Sequence, residues 1–231
     1  MEIRVLADGD AVAREGAAII AAQARTAVAA RGRFIWAVSG GHTPWLMLRN
    51  LAGEEVPWSG VHVAQVDERV APGGIRTGTS LICGRACSST LRCPEQVHAM
   101  PVEAIDLEAA VHRYAQTLQG IAGSPPILDL VHLGLGPDGH TASLVPGDPV
   151  LDVTDADVAL TGVYQGRRRM TLTYPMINRS RRILWLVTGN DKVEMLTRLR
   201  DGDKSIPAGR VVQNSALTIA DRAAVRQPEA R

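Results

Sequence analysis

Phe34-Ile35-Trp36-Ala37-Val38 is an apolar run with no polar alternation, and Ser39-Gly40-Gly41 follows it at once. A segment this short that is apolar in both directions reads as a strand covered on both faces, the situation of a parallel sheet held between helices. Arg182 to Val187 reads as another buried strand, Leu128 to Leu133 as a third, and Val61 to Val66 as a fourth. Ile3 to Leu6 is a short strand near the start and Ala216 to Ile219 the closing one, with Val158 to Tyr164 and Met170 to Thr173 as further strands. Between them the apolar spacing turns helical. The Ala-rich stretch Val12 to Ala30 is one helix, capped by Asp8 or Asp10, and Trp45 to Leu51, Leu81 to Leu91, Leu107 to Ile121 and Asp191 to Arg200 are others. Strands alternating with helices define an α/β fold, doubly wound, with a mainly parallel sheet flanked by helices, expected as a single domain over residues 1–231. The tail from Gln227 is expected to fray.

Composition narrows the function classes. The formal charge is +1, which excludes a polyanion binder held by bulk charge, and eight aromatic residues are too few for a nucleic-acid stacking platform. That total hides a split: residues 1–160 carry a net −7, and residues 161–231 a net +8. An anionic ligand fits the second part. Cys83, Cys87 and Cys93 lack partners at zinc-site spacing, and their odd number argues against a disulfide framework, so a reducing cytoplasm is expected. Charges break the first residues before an apolar export segment forms, and no apolar window is long enough to span a membrane.

Four motifs sit where strands end. Ser39-Gly40-Gly41-His42-Thr43-Pro44 joins a strand to a helix; the glycines allow close backbone approach, Thr43 can cap the helix, Pro44 suits its first turn, and the free N–H groups favour an anion such as phosphate. The plain alternative is an ordinary strand-to-helix turn, and the direction of the His42 side chain is left open. In Asp67-Glu68-Arg69-Val70-Ala71-Pro72, Arg69 can clamp a phosphate or carboxylate with Asp67 or Glu68 holding it, or the cluster is simply solvated. The most specific is Gly134-Leu135-Gly136-Pro137-Asp138-Gly139-His140-Thr141-Ala142-Ser143. It presents His140 on a glycine-rich loop at a strand terminus, suited to general-base work, with Asp138 placed to orient the imidazole or a substrate. The other histidines, His62, His98, His112 and His132, sit in ordinary strand, loop and helix contexts. Last, Arg167-Arg168-Arg169 precedes a strand, and Lys192 opens a helix after Thr188-Gly189, where an ammonium group adds to a phosphate site. There is no GxSxG elbow, no HExxH and no evident metal site, so water activated by His140 is a simpler scheme than a covalent Ser143.

Taken together, SGGHTP, DERVAP, GLGPDGHTASLVPG, RMTLTYPMIN and LVTGNDK resemble the 6-phosphogluconolactonase family from about Val5 to Ala224. The resemblance implies the fold of the glucosamine-6-phosphate isomerase group and hydrolysis of 6-phospho-D-glucono-1,5-lactone to 6-phosphogluconate. No cofactor is implied, and the only partner is that small phosphorylated sugar lactone, with the chain a monomer or weak homodimer. It places the catalytic histidine at His140, site-shaping acids at Asp67 and Asp138, and phosphate or sugar contacts at Ser39, Gly40, Gly41, Thr43, Arg69, Arg169 and Lys192. Ala71, Val145 and Thr77-Gly78 depart from the usual Val, Phe and Ser-Asn, and Gly78 has no side chain to contact a substrate. Two rivals share the scaffold. Amino-sugar-phosphate deaminases continue after the histidine with an acidic residue, which Thr141-Ala142-Ser143-Leu144 lacks; a sugar-phosphate sensor domain would bind 6-phosphogluconate without turnover.

Overall fold

The computed structural model describes residues 1–71 and 96–225; the helix expected over 81–91, the three cysteines, Gly78 and the tail from Gln227 lie outside these. Among the described residues seven parallel strands form one sheet: β1 (Glu2–Leu6), β2 (Phe34–Val38), β3 (Val61–Gln65), β5 (Val97–His98), β6 (Leu130–Leu133), β9 (Ile183–Val187) and β10 (Ala216–Asp221). Their order is β1-β10-β9-β6-β2-β3-β5. Helix α1 (Gly9–Arg31) starts at Asp8, whose carboxylate accepts from the Ala11 amide at 2.8 Å, so Asp8 and not Asp10 is the cap. It stops where Gly32 turns left-handed at φ 73°.

The apolar strands divide their side chains between two cores. Phe34, Trp36 and Val38 of β2, with Leu184 and Leu186 of β9, pack under α1 and α2 (His42–Leu51). Ile35 and Ala37, with Ile183, Trp185 and Val187, face α3 (Leu107–Ala122) on the opposite side. Trp36 and Trp185 are each 1% exposed, and burial of such rings is the largest hydrophobic contribution per residue in the sheet. The α/β fold with a mainly parallel sheet therefore follows from strands that have no polar face.

A second sheet was not legible as such. β4 (Asp67–Arg69), β7 (Val158–Leu160) and β8 (Arg169–Leu172) form a three-stranded antiparallel sheet in the order β4-β8-β7. Its register sets Asp67 opposite Thr171 and Arg69 opposite Arg169. The strand expected over 158–164 ends at Leu160, because the Gly162 amide leaves the ladder for the Asp148 carboxylate at 2.9 Å. Short helices α4 (Tyr174–Asn178), α5 (Val193–Arg200) and α6 (Arg222–Val225) complete the described chain.

Candidate active site

The chain leaves β2 toward β3 on one side of the sheet and returns through β6 on the other, so the topological switch lies between β2 and β6. Open α/β sheets bind ligands in the crevice outside the carboxyl ends of the strands at such a switch. Here that crevice is a cleft of about 340 Å³ lined by Ser39, Gly40 and Gly41 after β2, by Asp67, Glu68 and Arg69 after β3, and by Gly134 to Pro137, His140 and Ala142 after β6. Tyr164, Gln165, Arg169 and Lys192 close its remaining sides. Its size is that of a small-molecule site.

His140 is held from behind. Its Nδ1 lies 2.5 Å from Asp138 Oδ1, and the same oxygen accepts from the His140 amide at 3.2 Å. The tautomer this sets is Nδ1–H, donated to the carboxylate. Burial pushes the Asp138 carboxyl up, but the His140 amide and imidazole outweigh it, and the group is held below its ordinary value. Gly136 makes room for the ring: a Cβ there would come within 2.1 Å of His140 Nδ1. Gly139 turns the loop at φ 80°, where a Cβ would also strike Ile206 at 2.7 Å.

Asp67 reaches the same cleft from the second sheet. Burial pushes its carboxyl up, while the Ser143 hydroxyl, Arg169, His140 and Arg69 pull against that. Ser143 donates to Asp67 Oδ2 at 2.5 Å, and its amide donates to Thr171 Oγ1 at 3.2 Å. The serine therefore clamps the GPDGH loop onto β4 and β8.

The cations are unequal. Arg169 is 7% exposed, its Nε has no hydrogen-bond partner among the described residues, and its Nη2 donates to Gln165 Oε1 at 3.1 Å. A buried guanidinium that lines a cleft is a place for an anion. Lys192 follows Gly189 and pairs with Asp191 at 2.7 Å; Arg69 is exposed at the rim. Arg167 and Arg168 point to solvent, so one of the three consecutive arginines enters the site.

Of the residues expected in the site, Ser39, Gly40, Gly41, Asp67, Arg69, His140, Arg169 and Lys192 line the cleft together, with Asp138 directly behind His140. Thr43 is the exception. The helix N-cap is Gly41, at φ 125° and without a side-chain bond, while the Thr43 hydroxyl pairs with Thr188 Oγ1 at 2.9 Å and so ties α2 to the loop after β9. The uncapped amides of α2 remain available because the cap is a glycine. His42 is exposed and is not among the lining residues. Sequence reasoning missed Tyr164 and Gln165. The signal was the Gln165-Gly166 turn before Arg169, which makes a hairpin tip and not the end of a strand. Among the described residues no group of three or more His, Cys, Asp or Glu is arranged to hold a metal ion, and no helix is long and apolar enough to cross a membrane.

A parallel sheet wound on both faces, with loops from four strands converging over its switch point, is the glucosamine-6-phosphate isomerase-like α/β fold. The family described as glucosamine-6-phosphate isomerases/6-phosphogluconolactonase matches residues 7–220, and the chain belongs to it. A 6-phosphogluconolactonase of Synechocystis sp. is 38% identical over 74% of this chain and 72% of its own length. One of Mycobacterium tuberculosis is 34% identical over 98% of each chain. The crystal structure of the Thermotoga maritima 6-phosphogluconolactonase superposes with a TM-score of 0.83 at 25% identity, covering 95% of this chain and 98% of that one.

Proposed function

We propose that the chain hydrolyses 6-phospho-D-glucono-1,5-lactone to 6-phosphogluconate, the lactone step of the oxidative pentose phosphate pathway, and does so in the cytoplasm. The family supports the reaction class, and the observation that carries the assignment of roles is the Asp138–His140 pair opening onto a cleft with a buried, partly unpaired Arg169. The α2 amides, Arg169, Lys192 and Arg69 hold the 6-phosphate and so bring the lactone carbonyl to His140. With Nδ1 donated to Asp138, Nε2 takes a proton from water as its oxygen bonds to C1. The tetrahedral oxyanion then collapses, the bond from C1 to the ring oxygen breaks, and the imidazolium returns its proton to that oxygen. Asp138 orients the ring and balances the transient positive charge.

Freshly made lactone, followed above its spontaneous hydrolysis, is the test. Turnover by the wild type and a loss of at least about 10²-fold in kcat for His140→Ala are expected; wild-type turnover by the variant would overturn the role of His140. Ammonia release from glucosamine 6-phosphate would reinstate the deaminase reading, which the Thr141-Ala142-Ser143-Leu144 segment disfavours because it carries no acid after His140.

A further inference from the structure

The hairpin from β7 to β8 ends in Tyr164-Gln165-Gly166-Arg167, closed by reciprocal backbone bonds of 3.0 and 3.2 Å between Tyr164 and Arg167. Gln165 takes φ 51°, a left-handed conformation that disfavours any side chain, and such strain persists where neighbours over-determine it. The neighbours here are parts of the site. Gln165 Oε1 accepts from Arg169, and the Arg169 guanidinium lies 5.0 Å over the Tyr164 ring. The Tyr164 hydroxyl donates to Asp138 Oδ2 at 3.1 Å, and its ring meets the His140 ring edge-on at 5.7 Å. One side chain therefore touches the acid–base pair and the buried cation at once.

We propose that Tyr164 is a positioning residue of the reaction, its hydroxyl holding one oxygen of Asp138 so that the other is presented to His140 Nδ1. The Asp138 side chain is 36% exposed and its Oδ1 is already held by His140, so Tyr164 is the donor that keeps Oδ2 from water. With both oxygens held, the carboxylate plane is set, and with it the His140 tautomer and the direction of Nε2. Burial and the Asp138 charge push the Tyr164 phenol up, so it remains a donor. The same ring seats Arg169, which links the position of the phosphate to that of the base.

The catalytic readout rests on the lactonase reading; a spectroscopic one does not. Tyr164→Phe keeps the ring and removes the hydroxyl, while Tyr164→Leu removes both, and each is compared with the wild-type full chain for kcat and KM on fresh lactone and for the His140 ring-nitrogen resonances. Tyr164→Phe is expected to lower kcat roughly tenfold with KM held, the loss of one hydrogen bond to a charged group. It should also replace a dominant Nδ1–H tautomer of His140 with a mixture. Tyr164→Leu should raise KM as well. Either a wild-type kcat or an unchanged Nδ1–H tautomer in Tyr164→Phe overturns the proposal. A wild type without lactone turnover refutes the lactonase reading, and the tautomer comparison then decides the role of Tyr164 alone.

Discussion

Gly136 shows how much of a catalytic geometry can depend on a missing side chain. Its Cβ would occupy the space of His140 Nδ1, at 2.1 Å, and of Cε1, at 2.3 Å, so Gly136→Ala must expel the imidazole from its seat against Asp138. The variant is expected to fold, since the backbone there is not left-handed, and to lose at least about 10²-fold in kcat, as a displaced base does; circular dichroism and the lactone assay measure the two. Asp138→Asn tests the other side of the contact. An amide in place of the acceptor favours the wrong imidazole tautomer, and a loss of roughly 10²- to 10⁴-fold with little change in KM is expected from steady-state kinetics. The GPDGH spacing made His140 and Asp138 visible in the sequence because both lie on one short loop. The reason for Gly136 was not visible, since a loop glycine serves a turn as often as a close approach.

Strand β6 carries a second histidine with a different task. His132 is wholly buried; its Nδ1 accepts from the Ser39 amide at 3.3 Å, and the Ser39 hydroxyl donates to the His132 carbonyl at 3.0 Å. The imidazole thus pins the start of the Ser39-Gly40-Gly41 loop to the neighbouring strand. Burial lowers its pKa from 6.5 to about 3, so it stays neutral in the folded chain while the unfolded chain protonates it. Between those two values the unfolded state binds more protons, so this contribution is fully present above pH 6.5 and is lost as the pH falls toward 3. The slope is about 1.4 kcal/mol per pH unit. Urea unfolding of His132→Gln at several pH values in this window is expected to give a shallower acid dependence than the wild type; equal slopes would show that the imidazole does not titrate on unfolding. The sequence places His132 within a strand, and neutral burial follows from that position. Its bond to Ser39 does not, because it needs β2 and β6 to be neighbours in the sheet.

Across the whole molecule the two charge halves acquire different meanings. Several cations of the basic half are paired locally: Arg179 with Asp157, Arg181 with Asp129, Arg198 with Asp203 and Arg200 with Asp201. Arg200–Asp201, exposed on both sides, contributes little to stability, whereas Asp129 is buried. The cations that line the cleft are Arg69, Arg169 and Lys192, the last also paired with Asp191, so binding should depend on the phosphate group. 6-Phosphogluconate at about a hundred times its Kd is expected to stabilise the fold by about 2.7 kcal/mol, raising Tm by roughly 5–10 °C in a thermal scan. Gluconate without the phosphate should shift it far less, and added salt should shrink the effect. Equal shifts from both compounds would place the phosphate outside the cation cluster.

β4, β5 and α4 were not legible in the sequence, whereas most of the described strands and helices, the two-faced sheet and the loops that carry Gly40, Gly41, Asp138 and His140 were. Each is written in a local period or in a turn of a few residues, and local signals do not depend on how distant segments meet. The antiparallel sheet, the clamp from Ser143 to Asp67, the pairing of Thr43 with Thr188 and the contact of Tyr164 with Asp138 and Arg169 were decided by tertiary structure. Asp67 and Ser143 stand 76 residues apart, and Thr43 and Thr188 stand 145 apart. No periodicity links positions at such separations. They meet because strand register and the crossover at the β2–β6 switch bring the loops to one end of the sheet, and packing then selects which of three adjacent arginines turns inward.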